Sequence, residues 1–132
     1  MPELVNLLAS YFNARSAILR TLVEKSPSST ELMDTLQLSR EALNRRRKNP
    51  DYWLADELSE LAMLLHLRLK PDLYTQAITI CFRAIDEVDR QRLLKEIHIT
   101  PSRIKTIFKD SNCWRYSELV QLNQLLNRSK PR

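Results

Sequence analysis

The apolar positions of this chain recur at helical spacing. Leu58, Leu61, Leu64 and Leu65 form one stripe, and Leu119, Leu122, Leu125 and Leu126 form another, each stepping by three or four residues where a strand would step by two. Shorter stripes precede them, Leu32, Leu36, Leu38 and Leu43 before the first and Leu93, Ile97, Ile99, Ile104 and Ile107 before the second. Start signals punctuate the pattern. Thr100 stands before Pro101, a hydroxyl able to cap orphan amides ahead of a residue that loses nothing at the first helical position, and Ser39 is its counterpart before Arg40. Glu57 and Glu118 fall in the first turn of the closing stripes, where a carboxylate suits the positive end of the helix dipole. The pattern predicts helices over 73–87, 90–96, 101–109 and 115–127, with a matching set upstream.

The match is a repeat. Sliding the sequence by 61 residues lays 30–65 over 91–126 without a gap and pairs Leu32 with Leu93, Lys48 with Lys109, Trp53 with Trp114, Glu57 with Glu118, Leu58 with Leu119, Leu61 with Leu122, Leu64 with Leu125 and Leu65 with Leu126. Leu36 and Ile97, Leu38 and Ile99, Ser39 and Thr100, and Leu43 and Ile104 are conservative pairs. Upstream the likeness fades to Phe12 over Leu73, Leu19 over Ile80 and Val23 over Ala84. Two units follow, about 12–67 and 73–127, joined at Lys70-Pro71-Asp72, with 3–11 as an extra helical arm. As domains, 1–70 holds the arm and first unit, and 71–132 the second unit and a basic tail.

Composition agrees with an all-α class and narrows the chemistry. The chain has no glycine, so the P-loop and the dinucleotide fingerprint are absent and turns fall to Pro, Asn, Asp and Ser. Cys81 and Cys113 are the only cysteines and lack CxxC spacing, which fits free thiols in a reducing cytoplasm. The longest apolar run, 61–65, is far short of the about 20 residues a membrane span needs. MPELVNLLAS has neither the basic leader nor the apolar centre of a signal peptide. The net charge of +5 is concentrated, because residues 40–48 alone carry five positive charges and one negative.

Two short helices with a three-residue turn between them make a helix-turn-helix. LSREALNRRRKNPDYWLADELSELAMLLHL resembles the Cro and phage-repressor type of that motif: a basic turn ends the recognition helix, followed by an aromatic residue, a Glu-Leu pair and a closing leucine helix. ITPSRIKTIFKDSNCWRYSELVQLNQLL resembles it as well. The resemblance implies tandem helix-turn-helix units and a DNA-binding, often dimeric, transcription regulator of phage or mobile-element character. The chain departs from the family at the turn, where Gln37 and His98 stand in place of the usual glycine.

On this reading Arg40, Glu41, Asn44 and Arg45, following the cap Ser39, face bases, and Arg46, Arg47 and Lys48 meet phosphates. The second unit offers Ser102, Arg103, Lys105, Thr106 and Lys109. Set against this, a basic run is also an ordinary solvated helix end, where cations offset the dipole. With Leu43 inward, Arg46 and Arg47 fall near the inner face, where the second unit has Ile107 and Phe108. Either they splay toward a partner, or their stems run along the core edge toward Asp34, Asp56 or Glu60.

Trp53 and Trp114 read as core anchors. Asp86, Glu87 and Asp89 read as a helix end and its following cap, and the terminal NRSKPR as a basic tail. His66 and His98 lack metal-ligand spacing, and no nucleophile-base set is apparent, so neither a metal, a cofactor nor enzyme activity is expected. The expected partner is double-stranded DNA, with a homodimer or a protein partner through the second unit as further partners. The competing class is a non-enzymatic assembly adaptor, such as a packaging-complex subunit, that keeps the helix-turn-helix shape. Whether the units form a direct repeat or a dyad is left open at this level.

Overall fold

The computed structural model describes residues 2–128, and their regular structure is entirely helical: α1 (Pro2–Lys25), α2 (Ser29–Leu36), α3 (Arg40–Lys48), α4 (Ala55–Leu64), α5 (Pro71–Ala84), α6 (Glu87–Glu96), α7 (Pro101–Lys109) and α8 (Tyr116–Arg128). Single 3₁₀ turns, Pro50–Tyr52 and Ser111–Cys113, lead into α4 and α8. The last residues of the NRSKPR tail lie outside the described residues.

Two expected boundaries change. The arm at 3–11 and the first helix of unit one are one uninterrupted α1, because nothing between Pro2 and Lys25 breaks the helical stripe of Leu4, Leu8, Tyr11, Arg15 and Ile18. Further on, α5 stops at Ala84 and α6 starts at Glu87, so the acidic cluster lies at the start of α6, with Glu87 and Asp89 in its first turn where the dipole favours them. Asp86 occupies the cap position without a side-chain cap bond.

The hydroxyls of Ser39 and Thr100 cap as the sequence indicates, and Ser28 adds a third cap that it did not mark. Ser28 Oγ accepts from Glu31 N, Ser39 Oγ from Ala42 N and Thr100 Oγ1 from Arg103 N, each at 3.1 Å. Such a cap contributes about 1 kcal/mol. Asn49 and Asp110 do the same for the two 3₁₀ turns, accepting from Asp51 N and Asn112 N.

Helix ends show how a chain without glycine manages. Gln37, His66 and His98 adopt left-handed φ of 56°, 61° and 58° after α2, α4 and α6. The next residue then turns its N–H back onto the helix: Leu38 to Met33 O, Leu67 to Ala62 O and Ile99 to Leu94 O. This is the Schellman arrangement, and Leu38, Leu67 and Ile99 supply the apolar contact that accompanies it. The steric cost of a left-handed non-glycine residue is outweighed by satisfied carbonyls and a buried side chain.

The core has two parts, and α1 feeds both. Ile18, Leu32, Leu36, Leu43, Trp53, Leu58 and Leu61 pack together in the first, while Leu4, Leu8 and Tyr11 join Ile78, Phe82, Ile107, Trp114 and Leu119 in the second. The front of α1 therefore packs with the downstream half. Contacts between the halves are reciprocal: α1 lies along α5, α8 packs on α1 as α4 packs on α5, and α8 meets the first 3₁₀ turn as α4 meets the second. Since α1–α4 correspond to α5–α8, this is the pattern of a twofold relation, in which each half offers the other the same surface.

Candidate nucleic-acid interface

Helix α3 presents its polar residues over one continuous arc. At 100° per residue Arg47, Arg40, Asn44, Lys48, Glu41 and Arg45 follow one another across roughly 160°, and all six are exposed. Leu43, 1% exposed, lies just past the Arg47 end of the arc and makes the inner side of the helix with Ala42 and Arg46. Ser39 is exposed at the start of the helix, where its hydroxyl is engaged as the cap. Arg47 is partly engaged, since Nη1 donates to Ser29 Oγ at 2.8 Å and clips α3 to α2.

Arg46 turns inward. Its Nε and Nη2 donate to the two oxygens of Glu57, both at 2.9 Å, Nη1 donates to Ala42 O, and the guanidinium lies 5.9 Å from the Trp53 ring centre. The carboxylate reached is thus Glu57, and Asp34, Asp56 and Glu60 are passed over. Glu57 lies inward across the start of α4, where its Oε1 also accepts from Leu54 N.

The second half repeats the pair with its cation moved. Arg103 Nε and Nη2 hold both oxygens of Glu118 at 2.9 Å, Nη2 also donates to Cys113 O, and Glu118 Oε1 accepts from Arg115 N. By the 61-residue offset Glu118 matches Glu57, but Arg103 matches Ala42, and Ile107 matches Arg46. The arginine sits one helical turn earlier in the second half. The burial of Arg103 is thus explained by an ion pair, and its pKa is raised chiefly by the hydrogen bonds to Glu118. On α7 this leaves Ser102, Lys105, Thr106 and Lys109 exposed, a set with two cations. The compensating exchange, Ala42 for Arg103 and Arg46 for Ile107, is visible in the aligned repeat once the two positions are compared together.

At the seam between halves, Arg15 is 4% exposed. Its Nη2 donates to Pro50 O at 2.6 Å, and its guanidinium stacks 4.3 Å from the centre of the Tyr116 ring. Arg15 Nη1 is buried without a hydrogen-bond partner. Burial pushes the Tyr11 hydroxyl above its ordinary pKa, with Arg15 acting the other way. Nothing in the spacing of α1 marks Arg15, because its partners come from two distant segments.

Trp53 and Trp114 are both 3% exposed and anchor the two cores, and Cys81 and Cys113 are free and half-buried. Burial, followed by the Asp110 carboxylate, pushes the Cys113 thiol up. Among the described residues no three His, Cys, Asp or Glu side chains gather closely enough to hold a metal ion, and no helix is long and apolar enough to cross a membrane. Comparison with known protein families, with curated proteins and with solved structures yields no match to this chain.

Proposed function

We propose that the chain is a double-stranded DNA-binding transcription regulator built from tandem helix-turn-helix units, α2–α3 and α6–α7, with α3 as the recognition helix. The observation that carries this reading is the exposed arc of α3, on which Arg40, Asn44, Arg45, Arg47 and Lys48 share one side of a helix anchored by Leu43. Cations there replace counterions on phosphates, and Asn and Arg are the side chains suited to two-point contacts with adenine and guanine. Arg40, Glu41, Asn44 and Arg45 are assigned to bases, and Arg47 and Lys48 to phosphates. Arg46 and Arg103 are held by carboxylates and belong to the frame. The twofold relation of the halves supports a role for both short helix pairs within one chain, with α7 the weaker because its outer face carries only Lys105 and Lys109 as cations.

A second reading, an assembly adaptor, is favoured by exposed apolar side chains on both halves: Val23 and Met63 are 77% and 73% exposed, and Ile80 and Val88 are 68% and 74% exposed. Fluorescence anisotropy on a random-sequence duplex across a salt series separates the two. A DNA regulator binds with a steep salt dependence, and Lys48→Ala lowers the log–log slope by about 1 while leaving helicity unchanged. A selected site should then outcompete random duplex by at least about a thousandfold. Absence of binding at low salt would set the DNA reading aside in favour of the adaptor.

A further inference from the structure

Arg46 and Arg103, the shielded arginines of α3 and α7, each hold both oxygens of a glutamate at 2.9 Å. Arg15 on α1 is more buried than either, with 5% of its side chain exposed against 13% and 20%, and it has no such partner. Among the described residues its closest carboxylate, Asp51, stands 3.9 Å from Nη2, beyond hydrogen-bond range, and is itself 54% exposed. Nη2 donates instead to the neutral Pro50 carbonyl, the Tyr11 hydroxyl beside the guanidinium is a neutral phenol, and Nη1 is buried with no hydrogen-bond partner. The Tyr116 ring, 4.3 Å away, offsets part of the charge through its π face. A buried cation without a close counter-charge is costly, and what remains uncompensated calls for an anion.

Space for one adjoins it. Arg15 lines a cavity of about 550 Å³ between α1, the first 3₁₀ turn and α8, a volume within the range of small-molecule pockets, about 300–1,000 Å³. Phe12, Tyr116 and Val120 supply apolar walls, and Ser16, Asn123 and Gln124 polar ones. The reciprocal side of the seam is filled differently. There Ala55, Ser59 and Ala62 stand at the positions of Tyr116, Val120 and Asn123, and Gln76 at that of Arg15. The small side chains let α4 pack along α5 more extensively than α8 packs along α1, and Ser59 Oγ fastens that contact by donating to Asp72 Oδ1 at 2.6 Å. Bulk on α8 and a charge on α1 go together on the side that holds the cavity.

We propose that this cavity binds a small organic anion, a carboxylate or a phosphate ester, with its charged group beside Arg15 and its body against Phe12 and Val120. The anion takes the place of Asp51 at Nη2. Asp51 gives way readily, since its side chain is more than half exposed and no hydrogen bond ties it to the guanidinium. Nη1 has no open surface, so the anion compensates the charge of the group through Nη2, and Ser16 and the amides of Asn123 and Gln124 offer it further hydrogen bonds. Because the walls come from both halves, an occupied cavity ties the halves together and raises the thermal midpoint of the chain. None of this depends on what α3 binds.

The test uses the full chain with benzoate and phenyl phosphate as the two anions and benzamide as their uncharged counterpart, followed by calorimetry and by the side-chain amide signals of Asn123 and Gln124 in ¹H–¹⁵N spectra. One anion or both should bind saturably and shift those amides, and benzamide should bind weaker by about tenfold or more. Which anion binds distinguishes a carboxylate ligand from a phosphate ester. Arg15→Gln, which installs the residue of the matching downstream position, should weaken the anion by about tenfold or more. Asp51→Asn, at an exposed site, should tighten it several-fold by removing the competing carboxylate. The site is overturned if neither anion saturates, if benzamide binds as tightly, if an anion binds and leaves both amides unmoved, or if Asp51→Asn fails to raise the affinity. Binding that survives Arg15→Gln in a folded chain overturns it too. Where Arg15→Gln does not fold, Asp51→Asn and the benzamide comparison decide.

Discussion

Arg46 holds both oxygens of Glu57 from a position one helical turn beyond the one from which Arg103 holds Glu118. The carboxylates are equivalent in the repeat and each also receives the backbone N–H three residues before it, so the demand for a cation is the same in both halves. Two positions on the helix can meet it, because residues four apart share a face. The pairs are well shielded, with side-chain exposures of 13% and 11% for Arg46 and Glu57 and 20% and 10% for Arg103 and Glu118.

Removing one member of a shielded pair leaves the other charge without compensation. Arg46→Ala should cost about 3 kcal/mol in urea unfolding. Adding Ala42→Arg, with Ile in place of Ala at position 46, rebuilds the downstream arrangement and should recover most of that loss. A double variant no more stable than Arg46→Ala would show that the two positions are not interchangeable.

His66 and His98 take left-handed φ, and neither side chain makes a hydrogen bond among the described residues. A left-handed residue with a Cβ costs roughly 1–2 kcal/mol, and glycine returns roughly 0.5–1 kcal/mol of that through the entropy of the unfolded chain. His98→Gly should accordingly stabilise the fold by about 0.5 kcal/mol, read as a small rise in thermal midpoint. His66→Gly should act in the same direction, and a fall in either midpoint would mean that the imidazole contributes packing of its own.

Cys113 has a raised pKa, caused first by burial and next by the negative charge of Asp110, with Arg103 opposing. Only the thiolate is alkylated. A raised pKa lowers the thiolate fraction at a given pH, so the rate–pH curve for iodoacetamide should lie at higher pH than that of an unperturbed thiol. In a Cys81→Ser background, Asp110→Asn should move the curve back toward lower pH while keeping the acceptor that caps the 3₁₀ turn.

Because α1 contributes Leu8 to one core and Ile18 to the other, the two halves should unfold together. Leu8→Ala, at a site with no exposure, should cost about 3 kcal/mol. The loss should be equal whether unfolding is followed by Trp114, in the same core as Leu8, or by Trp53, in the other. Separate midpoints for the two fluorophores would divide the chain into independently folding pieces.

The sequence by itself determined the helices, their caps and the repeat, since these depend on neighbours three or four residues away. The stripe ending in Leu64 and Leu65, the hydroxyls of Ser39 and Thr100, and the likeness of Trp53 to Trp114 required no knowledge of the fold. The basic arc of α3 was legible for the same reason, because a known helical period places Arg40, Asn44, Arg45 and Lys48 together. Tertiary structure alone decided which arginine turned inward, since the choice between Arg46 and Arg47 depended on where α4 set Glu57. It alone joined the arm to α1 and gave that arm to the downstream core, buried Arg15 between the halves and made the contacts between the halves reciprocal. Each of these depends on segments far apart in the chain meeting at a common surface, and neither helical period nor residue type specifies that meeting.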